Sequence, residues 1–373
     1  MGPRPARLGR GGFLAAPHTA GRPASESPAT RYALGHAQKS FYNMKCNFPW
    51  PARGWLAMVL GFATAAADGA SPIARGAKPA DLGNIGAGEG PVWQTSGPGS
   101  GSLLFTGGGR ITRRDATGAV STFREDSGGA NGLAFDSQGR LVVCESGRHR
   151  VTRTESDGRV TVLASNYQGS PFNSPNDLAI DSKGRVYFTD PRYGSRAGMA
   201  LRDEKGELVE GVYRIDSPGA VTRVIGRELE RPNGITVSPG DQYLYVADNN
   251  NNQVGGARKL WRFDLRSDGS VDLASRKLIF DWKDARGPDG LKLDQVGRLY
   301  VAAGLNKPNP PYEKAEALRA GVYILSPQGR VLEFLPIPDD EVTNCAFGGP
   351  DFKTLFITAG GHLWSVRVDT PGR

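Results

Sequence analysis

Six short polar residues each stand directly ahead of a hydrophobic run: Glu89 in GEGPVW, Asn131 in ANGLAF, Asn176 in PNDLAI, Asn233 in PNGITV, Asp289 in PDGLKL and Asn344 in TNCAFG. The successive intervals are 42, 45, 57, 56 and 55 residues, a repeat the size of one propeller blade. If each repeat is a blade, equivalent residues meet at one mouth of the central channel. Two carboxylates and four carboxamides facing each other there are the oxygen ligands that a hard cation such as Ca²⁺ takes, and two carboxylates balance its charge. A single Asn-Gly pair is ordinarily just a turn. Here, however, the hairpin turns are supplied further on, by DSQGR, DSKGR, SPGDQ and DQVGR. A turn also has no need to alternate Glu, Asn and Asp at one place. Only His149 and His362 lie beyond residue 67, and they are not spaced as a metal pair, which disfavours zinc. The same scarcity leaves little for a Ser-His-Asp triad, and no GxSxG or phosphate-binding loop sequence is present.

The elements that would position these residues repeat in the same order. A short inner strand (133–135, 178–180, 235–237, 291–293) is followed by an Asp/Ser and Gly turn. Next comes a strongly apolar strand: LVVCES, VYFTDP, YLYVADN, LYVAAG, TLFITAG. A third strand recurs as RITRRD, RVTRTE, GVYRID, KLWRFD, GVYIL and HLWSV, and an outer strand such as TVLA or TRVI closes each repeat. Fifty-one Gly and 26 Pro among short, evenly spaced strands point to an all-β chain, a six-bladed β-propeller with a central metal site. The sixth repeat stops before its outer strand, so its edge needs a partner. Residues 80–85 are placed to supply it and close the ring. Two connections are longer than the rest, 195–210 and 305–320, and loops of that length tend to be lids or binding loops.

The formal charge of +8 is not a nucleic-acid signature. Residues 1–67 hold eight of the 46 Lys and Arg and one of the 38 acids, leaving 38 basic against 37 acidic residues in the body. The body is thus near neutral, and no nucleic acid is expected as a partner. Within residues 1–67, segment 1–43 is rich in Arg, Pro, Gly and Ala without periodicity, and reads as disordered or as a mis-assigned start. From Met44 the pattern is that of a secretory signal peptide: Lys45 and Arg53, an apolar run over 55–63, then small residues to Ala67. The run is short for a bilayer span. Export to the periplasm or the medium is expected, without stable membrane insertion, and residues 68–373 form the propeller. Cys46 would leave with the signal. Cys144 and Cys345 fall in repeats that are not neighbours, so both are expected as buried free thiols.

The segments GEGPVW, CESGRHRVTRTE, NSPNDLAIDSKGRVYFTDPRYG, RPNGITVSP, GPDGLKLD and TNCAFGGPD, in this order over 82–366, resemble the senescence-marker-protein and gluconolactonase family. The resemblance implies a calcium-dependent lactonase with one divalent cation at the ring mouth, calcium first, with Mg²⁺, Mn²⁺ or Zn²⁺ as alternatives. It implies Glu89, Asn233 and Asp289 as metal ligands, Asn176 as a further ligand or substrate contact, and Asp289 as the catalytic base. A bound hard cation polarises a carbonyl and acidifies water, both of which lactone hydrolysis uses. Arg150, Tyr193, Asn176 and Asn344 are the candidate contacts for a small polyhydroxylated lactone, and Asp190 and Asp248 are candidate orienters at strand ends. One departure is Ser146, where gluconolactonases of this type often carry His; it bears on the substrate rather than the metal. A phosphotriester hydrolase on the same ring and a non-catalytic calcium-binding propeller are the alternatives.

Overall fold

The apolar second strands explain the architecture, because nearly every residue in them is buried. In Leu141–Glu145, Val186–Asp190 and Leu299–Ala303 all five positions are closed to solvent. A strand points successive side chains to opposite faces, so a strand apolar throughout must be covered on both. The computed structural model, which describes residues 71–373, shows what covers them. Six four-stranded antiparallel sheets stand around one channel, and each presses one face on the blade before it and the other on the blade after it. Val142 and Cys144 pack with Leu178 and Phe188 in the seam between blades 2 and 3. Their neighbours Leu141 and Val143 pack with Leu104 and Ile111 between blades 1 and 2. The same alternation continues round the ring, with Tyr187 against Val246, Tyr245 against Val301, Tyr300 against Ile357 and Phe356 against Phe105. The core is therefore six seams rather than one centre.

Blades 1 to 5 occupy residues 89–124, 130–164, 178–225, 232–281 and 291–336, each running from the channel outward in chain order. Blade 6 has three such strands, Val342–Gly348, Thr354–Ala359 and Gly361–Arg367. Its outer edge is closed by Ala80–Ala87, which pairs Ala80 with Ser365, Asp81 with Trp364 and Asn84 with His362. The expected closure by the N-terminal strand is what the sheet order contains. Cys144 and Cys345 are buried free thiols. Among the described residues, no helix is long and apolar enough to cross a membrane. The expected signal peptide from Met44, segment 1–43 and Cys46 lie outside the described residues.

At the inner strands the ladder is interrupted. Register shifts fall between Glu89 and Val92, Ala130 and Leu133, Pro232 and Ile235, and Val342 and Asn344. A bulge frees backbone groups from the ladder, and here they bond to the next blade. Thr106 Oγ1 donates to the Asn131 carbonyl (3.0 Å), Gly132 N to Asn176 O (2.7 Å), and Thr189 Oγ1 to Asn233 O (2.7 Å). Gly234 N donates to Asp289 O (3.2 Å), Gly290 N to Thr343 O (2.6 Å), and Thr343 Oγ1 to Gly88 O (2.6 Å). The six links form a closed belt, four of them through the carbonyls of ring residues and the last two through Thr343 and Gly88, each one residue before a ring position.

At three ring positions the residue that follows must then let a neighbouring backbone in, and it is Gly90, Gly132 and Gly234. A Cβ at Gly90 would lie 2.0 Å from the Asn131 carbonyl oxygen, and one at Gly234 would lie 2.1 Å from that of Asp289. Gly234→Ala is expected to cost about 1–3 kcal/mol of stability, the usual range for overpacking. Gly158→Ala, whose Cβ would meet nothing, should cost about 1 kcal/mol through its positive φ alone. Paired thermal melts check this; equal losses would mean that the belt tolerates a wider spacing.

Candidate active site

The ring brings Glu89, Asn233, Asp289 and Asn344 to one mouth of the channel, where their side chains interact. Glu89 opens the inner strand of blade 1 and Asn344 lies in that of blade 6. Asn344 Nδ2 donates to Glu89 Oε2 (3.1 Å) and to Asp177 Oδ2 (3.4 Å), while its Oδ1 accepts from the Cys345 N–H (2.9 Å). Asn344 is thus fully engaged with protein. Asn233 donates through Nδ2 to the Tyr193 hydroxyl (2.7 Å) and through its side chain to Asp289. That use of the amide protons leaves its carbonyl oxygen for a ligand. Asn176 is buried, and its backbone is pinned by Thr189 O and the Gly132 N–H. No hydrogen bond ties its side-chain amide to another described residue. Arg150 is turned aside: its Nε donates to the buried Glu145 (2.7 Å), which also takes Thr152 Oγ1 (2.8 Å) and Arg124 (3.3 Å).

The electrostatics of the mouth are unbalanced. Burial pushes the Glu89 carboxyl up to about 7, with the nearby Asp177 charge adding to it. Burial and then Glu89 hold Asp289 well above the ordinary carboxylate range. Three carboxylates, Glu89, Asp177 and Asp289, share this low-dielectric space. The Lys292 ammonium stands 3.9 Å from Asp177, and Arg286 partly offsets Asp289. With Lys292 set against Asp177, the Glu89 and Asp289 carboxylates remain, a charge that one divalent cation would neutralise. Their oxygens and the Asn233 carbonyl are hard donors, so the residues present fit such an ion. Among the described residues no three His, Cys, Asp or Glu side chains are placed to hold a metal ion by themselves; the candidate set mixes carboxylates with amides.

Positioning comes from one residue further out. Asp190 accepts from the N–H groups of Asn173 (2.8 Å) and Ser174 (2.7 Å), the segment that leads to Asn176. Asp248 does the same for Arg231 (2.8 Å), ahead of Asn233. Burial raises Asp190 to about 7 and Asp248 to about 6. The two long insertions contribute a matching device. Glu210, at the end of the first, clamps Arg231 (2.9 and 3.3 Å), two residues before Asn233. Glu313, within the second, clamps Arg286 (3.2 Å twice), three residues before Asp289. Each insertion therefore fixes the approach to one candidate ligand. Although the Tyr193 ring is partly exposed, desolvation of its hydroxyl end beside Asn233 and then the Asp289 charge push the phenol well above its usual range, so it stays protonated.

The sequence pattern does not single out Asp177, Lys292, Glu210 or Glu313. Asp177 carried a signal, since it stands where four of the repeats place Gly. Lys292 carried another, as a charge in the middle of the inner strand Leu291–Leu293. The two glutamates carried none, because nothing in an insertion tells which residue folds inward.

A raised carboxyl favours the folded state only while protonated. The Glu89 contribution is therefore present below its unfolded value near 4.5 and is lost as pH rises toward about 7. In chelator-treated protein, Glu89→Gln should raise the melting temperature at pH 8 but not at pH 4, and should remove the added stability that Ca²⁺ gives the native chain at pH 8. A pH-independent difference between the two proteins would contradict the charge crowding described above.

The comparisons agree with this architecture. The family model for the SMP-30/Gluconolactonase/LRE-like region matches residues 87–361. A gluconolactonase of Zymomonas mobilis is 32% identical over 306 residues, covering 76% of this chain and 79% of its own. The solved gluconolactonase of Xanthomonas campestris superposes with a TM-score of 0.65 at 29% identity, covering 80% of this chain and 92% of its own. A calcium-binding protein, regucalcin, of Agrobacterium tumefaciens shares the fold, with a TM-score of 0.59 at 19% identity over 79% of this chain and 94% of its own.

Proposed function

Since the chain belongs to the SMP-30/Gluconolactonase/LRE-like region family, we propose that it is a lactone hydrolase acting on a sugar lactone with the help of one divalent cation, calcium first. The observation that carries this reading is the meeting of Glu89, Asn233 and Asp289 at one channel mouth, with carboxylate charge crowded against burial. When bound among Glu89, Asn176, Asn233 and Asp289, the cation would supply a Lewis acid for the lactone carbonyl and would acidify water.

The chain's own residues do the rest. Direct contact with a cation draws a carboxylate's pKa down and makes it a weaker base. Asp289 then serves best by accepting a hydrogen bond from the attacking water, which aims an oxygen lone pair at the carbonyl carbon. Its backbone is pinned for this on both sides, N–H to Ala302 O (2.8 Å) and carbonyl to Gly234 N–H (3.2 Å). Asn344, locked between Glu89 and Asp177, keeps the Glu89 carboxylate turned into the mouth. Lys292 offsets the third carboxylate, so that Asp177 is not left as an uncompensated charge beside the substrate. The uncommitted amide of Asn176 is the group left to meet substrate hydroxyls, and the Tyr193 hydroxyl, bonded to Asn233, stands beside it at the mouth. Export through the segment from Met44 would place the enzyme in the periplasm or the medium.

Hydrolysis of D-glucono-1,5-lactone in a pH-stat, with and without chelator, tests the reading. Asp289→Ala and Glu89→Ala should each lower kcat/KM by roughly a hundredfold or more, in line with the several kcal/mol a Lewis acid supplies. Both should also lose the Ca²⁺-dependent rise in melting temperature. Undiminished turnover by chelated Glu89→Ala protein would remove the metal from the mechanism.

A further inference from the structure

Tyr193 is held more firmly than a substrate-facing side chain on a loop needs to be. It follows the second strand of blade 3, in DPRYG, and is 37% exposed. Beneath its ring lies the Arg231 guanidinium, 5.3 Å from the centroid, in a residue only 4% exposed. Glu210 grips that guanidinium by two hydrogen bonds and also accepts the backbone N–H of Arg192 (2.8 Å), the residue before Tyr193. Arg196 (2.7 Å) completes the shell of this one buried carboxylate. Glu210 thus fixes Tyr193 twice, through its chain neighbour and through the cation under its ring.

The hydroxyl is set with the same economy of freedom. Its oxygen accepts from Asn233 Nδ2 (2.7 Å). Its own proton has one protein acceptor among the described residues, the Asn249 carbonyl at 3.5 Å, too long for an effective O–H···O bond. The result is an O–H donor anchored by its lone pair one hydrogen bond from a candidate ligand, with its proton uncommitted. Donors fixed in advance where charge develops lower a barrier without reorganising during the reaction.

We infer that Tyr193 is a catalytic hydrogen-bond donor to the lactone oxygen that gains negative charge as the ring opens, with Glu210 as the residue that positions it. This rests on the lactonase reading above. In the balanced step, the oxygen of water bonds to the carbonyl carbon, the ring C–O bond breaks, and a proton from that water ends on the former ring oxygen. Tyr193 donates a hydrogen bond throughout and keeps its own proton.

The test is Tyr193→Phe, which preserves the ring over Arg231. With D-glucono-1,5-lactone, kcat should fall roughly 10²- to 10³-fold, the loss seen when one oxyanion donor is removed. KM should stay within about twofold, the pattern of an interaction made only in the transition state. The melting temperature and its rise with Ca²⁺ should be unchanged. Glu210→Gln should lower kcat less, and adding it to Tyr193→Phe should lower kcat no further, because both act through one hydroxyl. A native kcat in Tyr193→Phe, a loss confined to KM, or loss of the Ca²⁺ response would each overturn the inference while leaving the lactonase reading standing. Additive effects would overturn the part given to Glu210. Absence of turnover of this lactone and other sugar lactones by the native protein would remove the lactonase reading and this inference with it.

Discussion

Each blade gives its neighbour one hydrogen bond at the channel mouth, and these six links run through the backbone of the ring residues or of the residue just before them. The Asn131, Asn176, Asn233 and Asp289 carbonyls are all acceptors in the belt. A carbonyl committed to the preceding blade cannot turn, so the side chain on the same residue is presented in a fixed direction. The spacing between blades is set by the close approach at Gly90 and Gly234, where even a methyl group would collide with a neighbouring carbonyl. Closing the ring and building the site are one act. Closure of blade 6 by Ala80–Ala87 completes the sheet whose inner strand carries Asn344.

This backbone scaffold supports an electrostatic arrangement that would be costly alone. Burial raises a carboxyl's pKa and nearby like charges raise it further: burial and then Asp177 act on Glu89, and burial and then Glu89 act on Asp289. The surroundings contain the strain rather than removing it: Lys292 faces Asp177, Asn344 bridges Glu89 and Asp177, and Arg286 bears on Asp289. Each arginine near a ligand is itself clamped by a glutamate from an insertion, Glu210 for Arg231 and Glu313 for Arg286. The two long connections, which read in sequence as loops of lid length, thus serve first as anchors. A pair made in this way keeps two buried charges compensated while holding the approach to Asn233 and Asp289 rigid.

The propeller was legible because its physics is periodic. Second strands covered on both faces must be apolar over most of their length, and LVVC, VYF and LYVAA announce this without any partner being known. The ring residues were legible for the same reason, since equivalent positions in a repeat are carried to equivalent places. What a ring residue does there was not legible. Asn344 and Arg150 were read alike as substrate contacts. The fold gives the amide to Glu89 and Asp177 and the guanidinium to Glu145.

The amino-acid order by itself determined the repeat, the number of blades, the strand that closes them and the six polar positions at the mouth, because each follows from local pattern and its recurrence. The tertiary structure alone decided which polar groups meet: Lys292 with Asp177, Glu210 with Arg231, and Tyr193 with Asn233, from positions 40 or more residues apart in the first and last cases. Such pairings leave no periodic trace. They depend on distances of a few ångströms between blades, and Coulomb and hydrogen-bond energies change steeply over that range.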